Sequence, residues 1–236
     1  MPLLPTPETP IGEIAAAIPA AVTVFERSGM DFCCGGAKSL EDAARQAGQD
    51  AEAVLEEIRG LARHPEERDW TKAGLGELLD HILSTHHLYL KEAMPRLWSL
   101  AVKVSEVHGK RHPEIRELRR EMSGLFGELE PHMMKEEQIL FPLIRAIADQ
   151  GRDAAAVPGS PEAPMRVMEM EHENAGKVLK RMRELAGGYQ PPEDACVSCR
   201  ALYSGLEEME QDLHRHIHLE NNVLHPRVRD LEAKTV

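Results

Sequence analysis

Apolar residues recur at alternating intervals of four and three along four long stretches of the chain, a spacing that lays one stripe along an α-helix. The stripes are Leu83, His87, Leu90, Met94, Leu97, Ala101, Val104; Leu118, Met122, Leu125, Leu129, His132, Glu136, Ile139, Leu143; Met165, Met168, His172, Ala175, Leu179, Met182, Ala186; and Leu202, Leu206, Met209, Leu213, His216, Glu220, Val223. They predict helices over about Leu75 to Val107, Glu114 to Gln150, Met165 to Ala186 and Glu193 to Leu231. Pro95 is expected to kink the first, because proline removes an intrahelical hydrogen bond, and Gly187-Gly188 to stop the third. Short connections favour antiparallel neighbours, so the fold class is all-α, an antiparallel four-helix bundle behind a small N-terminal helical domain.

That smaller domain has a different rhythm. After a proline-spaced leader to about Pro10, short helices are expected at Ile11 to Ala17, at Ala20 to Arg27, after Ser39, and near Asp50 to Arg63. Ser39 with Asp42 three residues on is an N-cap pattern. The stretch HPEERDWTKAG (64–74) reads as a linker, which divides the chain into domains 1–66 and 74–236.

The bundle stripes carry polar residues at core positions. HMMKEEQILFP (132–142) and HIHLENNVLHP (216–226), 84 residues apart, place His, Glu, Leu and Pro at the same offsets. His132 and Glu136, like His216 and Glu220, are four apart and project from one helix face. A carboxylate in such a seam costs several kcal/mol to desolvate unless it is paired or binds a metal. His87 and His172 complete a duplication: His87 to His132 is 45 residues, His172 to His216 is 44, and His87 to His172 is 85. Each half is then a helix hairpin with His on its first helix and His-x3-Glu on its second. Four imidazoles and two carboxylates, with no thiolate, suit iron, zinc or manganese. Six ligands exceed the four or so of one tetrahedral zinc, so two ions are expected. An oxo or hydroxo bridge would reduce the positive charge of such a pair.

Composition narrows the setting. Aromatics make up 4% of the 236 residues and the formal charge is −12. Without a clustered Lys/Arg surface the chain is not expected to bind nucleic acid or an anionic membrane. No secretory signal is read at the start. The run from Ile14 to Phe25 is too short to span a bilayer, and a cytoplasmic location is expected. Four cysteines in two close pairs do not make a disulfide framework.

Other residues compete for attention. His86 falls about 100° off its stripe, and His214 and His218 lack a Glu four residues on, so these are read as flanking or solvated. H-E-x-x-H is absent, which argues against a zincin metalloprotease. Cys33-Cys34, between Asp31 and two glycines, is read as mobile and accessible, with two small apolar residues in a turn as the bland alternative. Cys196 and Cys199 form C-x-x-C where a helix N-terminus can depress a thiol pKa, although packing is the favoured role. Met133, Met134, Met165, Met168 and Met170 are read as core filler.

Taken together, IGEIAAAIPAAVTVFERSGMDFCCGG, HMMKEEQILFP and LENNVLHPR resemble the Repair of Iron Centers family over essentially the full length. The resemblance implies a hemerythrin-like bundle with two non-haem iron ions in an oxo- or hydroxo-bridged centre, and a small domain carrying a double cysteine. It implies His87, His132, Glu136, His172, His216 and Glu220 as ligands, and it matches Cys33 and Cys34 to the family's cysteine pair. The implied function is repair of iron-sulfur clusters after nitrosative or oxidative stress, with damaged or apo iron-sulfur proteins as partners. Donation of ferrous iron, with the two cysteines contacting metal or sulfur in transit, is the first reading. Reduction of nitric oxide or peroxide at the diferrous pair is the second, and reversible binding and sensing of oxygen or nitric oxide the third. Docking of the small domain on its own bundle or on a second chain's leaves a homodimer open. Two departures stand out: His86 replaces an aromatic residue and His225 a phenylalanine, each placing another imidazole near the site.

Overall fold

The computed structural model describes residues 5–61, 68–150 and 159–233. Helices are α1 (Ile11–Ala17), α2 (Ala21–Arg27), α3 (Leu40–Ala47), α4 (Ala51–Leu61), α5 (Leu75–His81), α6 (Leu88–His108), α7 (Glu114–Lys135), α8 (Phe141–Gln150), α9 (Glu162–Leu185), α10 (Val197–His218) and α11 (His225–Ala233). Among the described residues there is no strand, and an isolated bridge joins Pro10 and Ser39. No helix there is long and apolar enough to cross a membrane.

The long helices are not uninterrupted α-helix. π-helical turns join α5 to α6 (Ile82–His87), α7 to α8 (Glu136–Leu140) and α10 to α11 (Leu219–Leu224). A π turn holds one residue more than an α turn, so the face downstream rotates by about 100°, one residue's worth. Ile139 and Leu143, placed on the core stripe by periodicity, are therefore 58% exposed and half-buried respectively, while Leu140, Phe141, Ile144 and Ile147 turn inward. The same effect leaves Leu83 half-buried and Ile82 fully buried.

One compact unit comprises residues 81–143 and 163–213. Its core draws Leu90, Met94, Leu97 and Val104 from α6, Leu118, Met122 and Leu125 from α7, Leu179 and Met182 from α9, and Leu202, Leu206, Met209 and Leu213 from α10. The four helices meet through the stripes expected of them, and this is the helical bundle. Pro95 lies inside α6 and Pro131 inside α7. The third helix begins at Glu162, three residues before its expected start, and α10 begins at Val197 rather than Glu193. In the segment before α10, Asp194 pairs with Arg111 and His112. Met134 and Met170 are exposed, 49% and 57%, and do not fill the core as expected; Met133, Met165 and Met168 do.

The other unit comprises the described residues of 1–80, 144–162 and 214–236. Ile11, Ile14, Phe25, Phe32, Leu40, Leu55 and Ile58 build a core that Ile217 joins. Ser39 caps α3 as expected, its hydroxyl accepting the Asp42 N–H at 3.1 Å. Gly48 ends that helix at φ +68°, a conformation in which glycine avoids the Cβ penalty. The expected end of α4 at Arg63 and residues 64–67 of the linker lie outside the described residues.

Candidate metal centre

Four of the candidate ligands belong to the bundle unit. His87 ends the first π turn, Glu136 begins the second, His132 sits one helical turn before it, and His172 lies mid-α9. All are nearly or completely buried, and Glu136 is fully so. Nε2 of His132 lies 3.2 Å from Glu136 Oε1 and 3.1 Å from Nε2 of His172, and Nε2 of His87 lies 3.4 Å from Glu136 Oε2. His132, Glu136 and His172 thus present ligand atoms within 4.8 Å of one another.

Two further carboxylates aim these rings. Nδ1 of His87 bonds Glu137 Oε1 and Nδ1 of His132 bonds Glu171 Oε2, both at 2.8 Å. With Nδ1 engaged, Nε2 is the nitrogen left facing Glu136, and its lone pair is fixed there when the Nδ1 proton points at a carboxylate. Lys91 in turn binds Glu137 at 2.6 Å, and Lys135 binds Glu171. Burial pushes both carboxyls up, but the lysine and histidine beside each outweigh it and hold both below the usual range. Sequence reasoning missed this pair. A signal existed: Glu137 follows Glu136 and Glu171 precedes His172, each adjacent in sequence to a candidate ligand.

The remaining two candidates belong to the other unit. His216 and Glu220 are buried, and Nε2 of His216 is 3.1 Å from Glu220 Oε1. Here the repeat breaks in an informative way. Asn221, at the offset of Glu137, does not carry a carboxylate; with Asn222 it grips the cysteine loop. Asn222 Nδ2 donates to the carbonyls of Phe32 at 3.2 Å and Cys33 at 3.1 Å, and Asn221 Nδ2 donates to that of Cys33 at 3.3 Å. Gly12 and Gly36 make room, since a Cβ at either would meet the Asn222 side chain.

The cysteine loop is less open than its sequence suggests. Cys33 is buried at 4% exposure and only Cys34 is half-buried, because Phe32 and Cys33 enter the N-terminal core. Their sulfurs lie 3.8 Å apart, which is not a disulfide, and Asp31 Oδ1 accepts the Cys34 N–H at 2.9 Å. Contact with Cys34, together with burial, pushes the Cys33 thiol well up.

Of the histidines read as flanking or solvated, two are buried. His86 is 4% exposed, not solvated: it lies in the wide π turn beside His87 and its Nδ1 bonds Asp212 at 2.8 Å. His218 is also 4% exposed, with its ring 5.5 Å from that of Phe32, and burial lowers its pKa to about 4. His214 is half-buried. His225 is fully buried at the start of α11. Cys199 packs in the bundle core as expected, but Cys196 is exposed.

A family model described as the hemerythrin HHE cation binding domain matches residues 78–228, and one described as a domain of unknown function, DUF542, matches residues 7–62. Proteins named iron-sulfur cluster repair protein YtfE from Citrobacter koseri and Enterobacter sp. are each 41% identical over 220 residues, 93% of this chain and 96% of theirs. The protein of that name from Escherichia coli O157:H7 is 40% identical over the same shares. The chain belongs to the Repair of Iron Centers family. Its bundle is the hemerythrin-like domain of that family, whose cofactor is a di-iron centre. The donor set fits: buried imidazole nitrogens and a carboxylate, without thiolate, are ligands iron accepts.

Proposed function

We propose that this protein repairs iron-sulfur clusters damaged by nitrosative or oxidative stress, by releasing ferrous iron to an apo or damaged cluster protein in the cytoplasm. The ligands we assign are His87, His132, Glu136, His172, His216 and Glu220, on the duplicated His and His-x3-Glu pattern and on family membership. One observation carries the reading: a chain 40–41% identical over 93% of its length to proteins named for cluster repair also buries histidines held in orientation by dedicated carboxylates. The matches at 7–62 and 78–228 support a division into domains 1–66 and 74–236.

Each part of the chain has a task in this scheme. Imidazole is a neutral ligand, so ferrous ions held largely by histidine lack the charge attraction of a thiolate or carboxylate cage, and reduction loosens them. Glu137 and Glu171 keep the His87 and His132 rings aimed while metal is absent, so the emptied site does not have to be rebuilt before refilling. Cys34 is the sulfur within a partner's reach, and Cys33 follows when the loop opens; together they contact metal or sulfur in transit. Asn221 and Asn222 support this role, because they tie the loop's backbone to the π turn that carries Glu220.

Chelation tests the proposal. A ferrous chelator is expected to strip the reduced protein much faster than the oxidised one, with an apo-cluster protein competing for the same iron. Reduced protein that keeps both ions against chelator while consuming nitric oxide over many turnovers would replace donation by reduction. Oxygen or nitric oxide bound and released unchanged, with no loss of iron, would favour a sensor. Gel filtration of the loaded protein separates a monomer from a homodimer.

A further inference from the structure

Cys196 is not absorbed by the iron chemistry, and its surroundings differ from those of the other thiols. It is exposed, and its Sγ lies 3.2 Å from Nε2 of His108. His108 closes α6, where carbonyl dipoles favour positive charge; Cys196 immediately precedes α10, where unpaired N–H groups favour negative charge. A thiolate facing an imidazolium is aligned with both helix ends. The His108 contact, then the backbone N–H groups of Cys199 and Ser198, bring the Cys196 thiol down to about 7. The nearby charges are already committed to one another: Arg111 and His112 pair with Asp194, and His112 with Glu114. Cys33 and Cys199, by contrast, are buried, and their thiols are pushed up.

From this geometry we infer that the Cys196–His108 pair is a surface nucleophile that takes low-molecular-weight disulfides, forming a reversible mixed disulfide on Cys196. The Cys196 thiolate bonds one sulfur of the disulfide and the sulfur–sulfur bond breaks. The other half departs as a thiolate that takes its proton from solvent. The small disulfide is the oxidant: its departing sulfur is reduced to a thiol as Cys196 is oxidised. His108 accepts the Cys196 proton and holds the thiolate at neutral pH. This does not depend on the repair reading and needs no iron.

The test is the rate and position of modification of the full chain by oxidised glutathione, read by peptide mapping across pH. Cys196 is expected to be the first cysteine modified, and Cys196→Ser to remove that fast phase while circular dichroism stays unchanged. At neutral pH a thiol at 7 is about fifty times more ionised than one at 9, and the lower nucleophilicity of the more acidic thiolate takes back about eightfold, leaving a net advantage of about sixfold. His108→Gln should therefore slow the neutral-pH reaction by about two- to sixfold, lose that deficit near pH 8, and react up to about fourfold faster near pH 9, where both thiols are largely ionised and the less acidic thiolate is the stronger nucleophile. Reaction at Cys34 first would overturn the inference. So would equal slowing at every pH in His108→Gln, which would make the histidine a matter of access rather than ionisation.

Discussion

Gly12→Ala sets helix propensity against tertiary packing. Gly12 is the second residue of α1, and alanine in a helix ordinarily gains up to about 1 kcal/mol over glycine. Here the added Cβ would lie 2.9 Å from Asn222 Cγ, closer still to Asn222 Oδ1, and 3.0 Å from the Gly36 carbonyl oxygen. The Gly36 carbonyl has little freedom to move, since it accepts the Gly12 N–H at 2.9 Å. The Asn222 side chain must therefore give way, and its bonds to the Phe32 and Cys33 carbonyls go with it. Two hydrogen bonds at about 0.5–1.5 kcal/mol each amount to about 1–3 kcal/mol, more than the helix gain. We expect Gly12→Ala to destabilise by about 1–2 kcal/mol in urea denaturation, compared at one metal loading. The Cys33 thiol should react faster as its loop loosens. In an Asn222→Ala background the same substitution should cost at least about 1 kcal/mol less, the signature of contacting residues in a double-mutant cycle. A stabilised single variant, or strict additivity with Asn222→Ala, would refute the reasoning.

The carboxylates behind the imidazoles give a second prediction: Glu137→Gln and Glu171→Gln should each weaken iron binding by about 10- to 100-fold, the usual penalty for losing such a support. Helix content by circular dichroism should persist, and isothermal titration giving unchanged affinity for both variants would show that the rings need no orienting. Third, Cys33→Ser with Cys34→Ser should leave the iron absorption spectrum intact, since neither residue is among the assigned ligands, yet slow recovery of a damaged cluster protein; equal recovery rates would return the pair to a packing role.

How far the site was legible follows from the range of the forces involved. The periodicity that laid Leu118, Met122, Leu125 and Leu129 on one face, and His172 among Met168, Ala175 and Leu179, is a property of helix geometry alone, so those residues are buried where their spacing put them. The duplicated His-x3-Glu spacing is equally local, and it marked Glu136 and Glu220, both fully buried. The π turns are different. Each breaks the regular helical ladder that the four-and-three spacing assumes, so spacing alone placed Ile139 and Leu143 on a face they do not occupy.

Supporting contacts lay beyond reach for the same reason. Nothing within a turn of Glu171 says that its partner will be His132, 39 residues earlier. Asn222 reveals its use only when folding brings it to carbonyls 190 and 189 residues away. Cys33 is buried because it enters the N-terminal core together with Phe32, against whose ring His218 lies. By itself the sequence determined the helices, their buried faces and the types of donor on them, because these follow from repeats of a few residues. Which carboxylate aims which imidazole, how the cysteine loop is held and where the helices widen were decided by tertiary structure, because each depends on groups that only folding brings within hydrogen-bond distance.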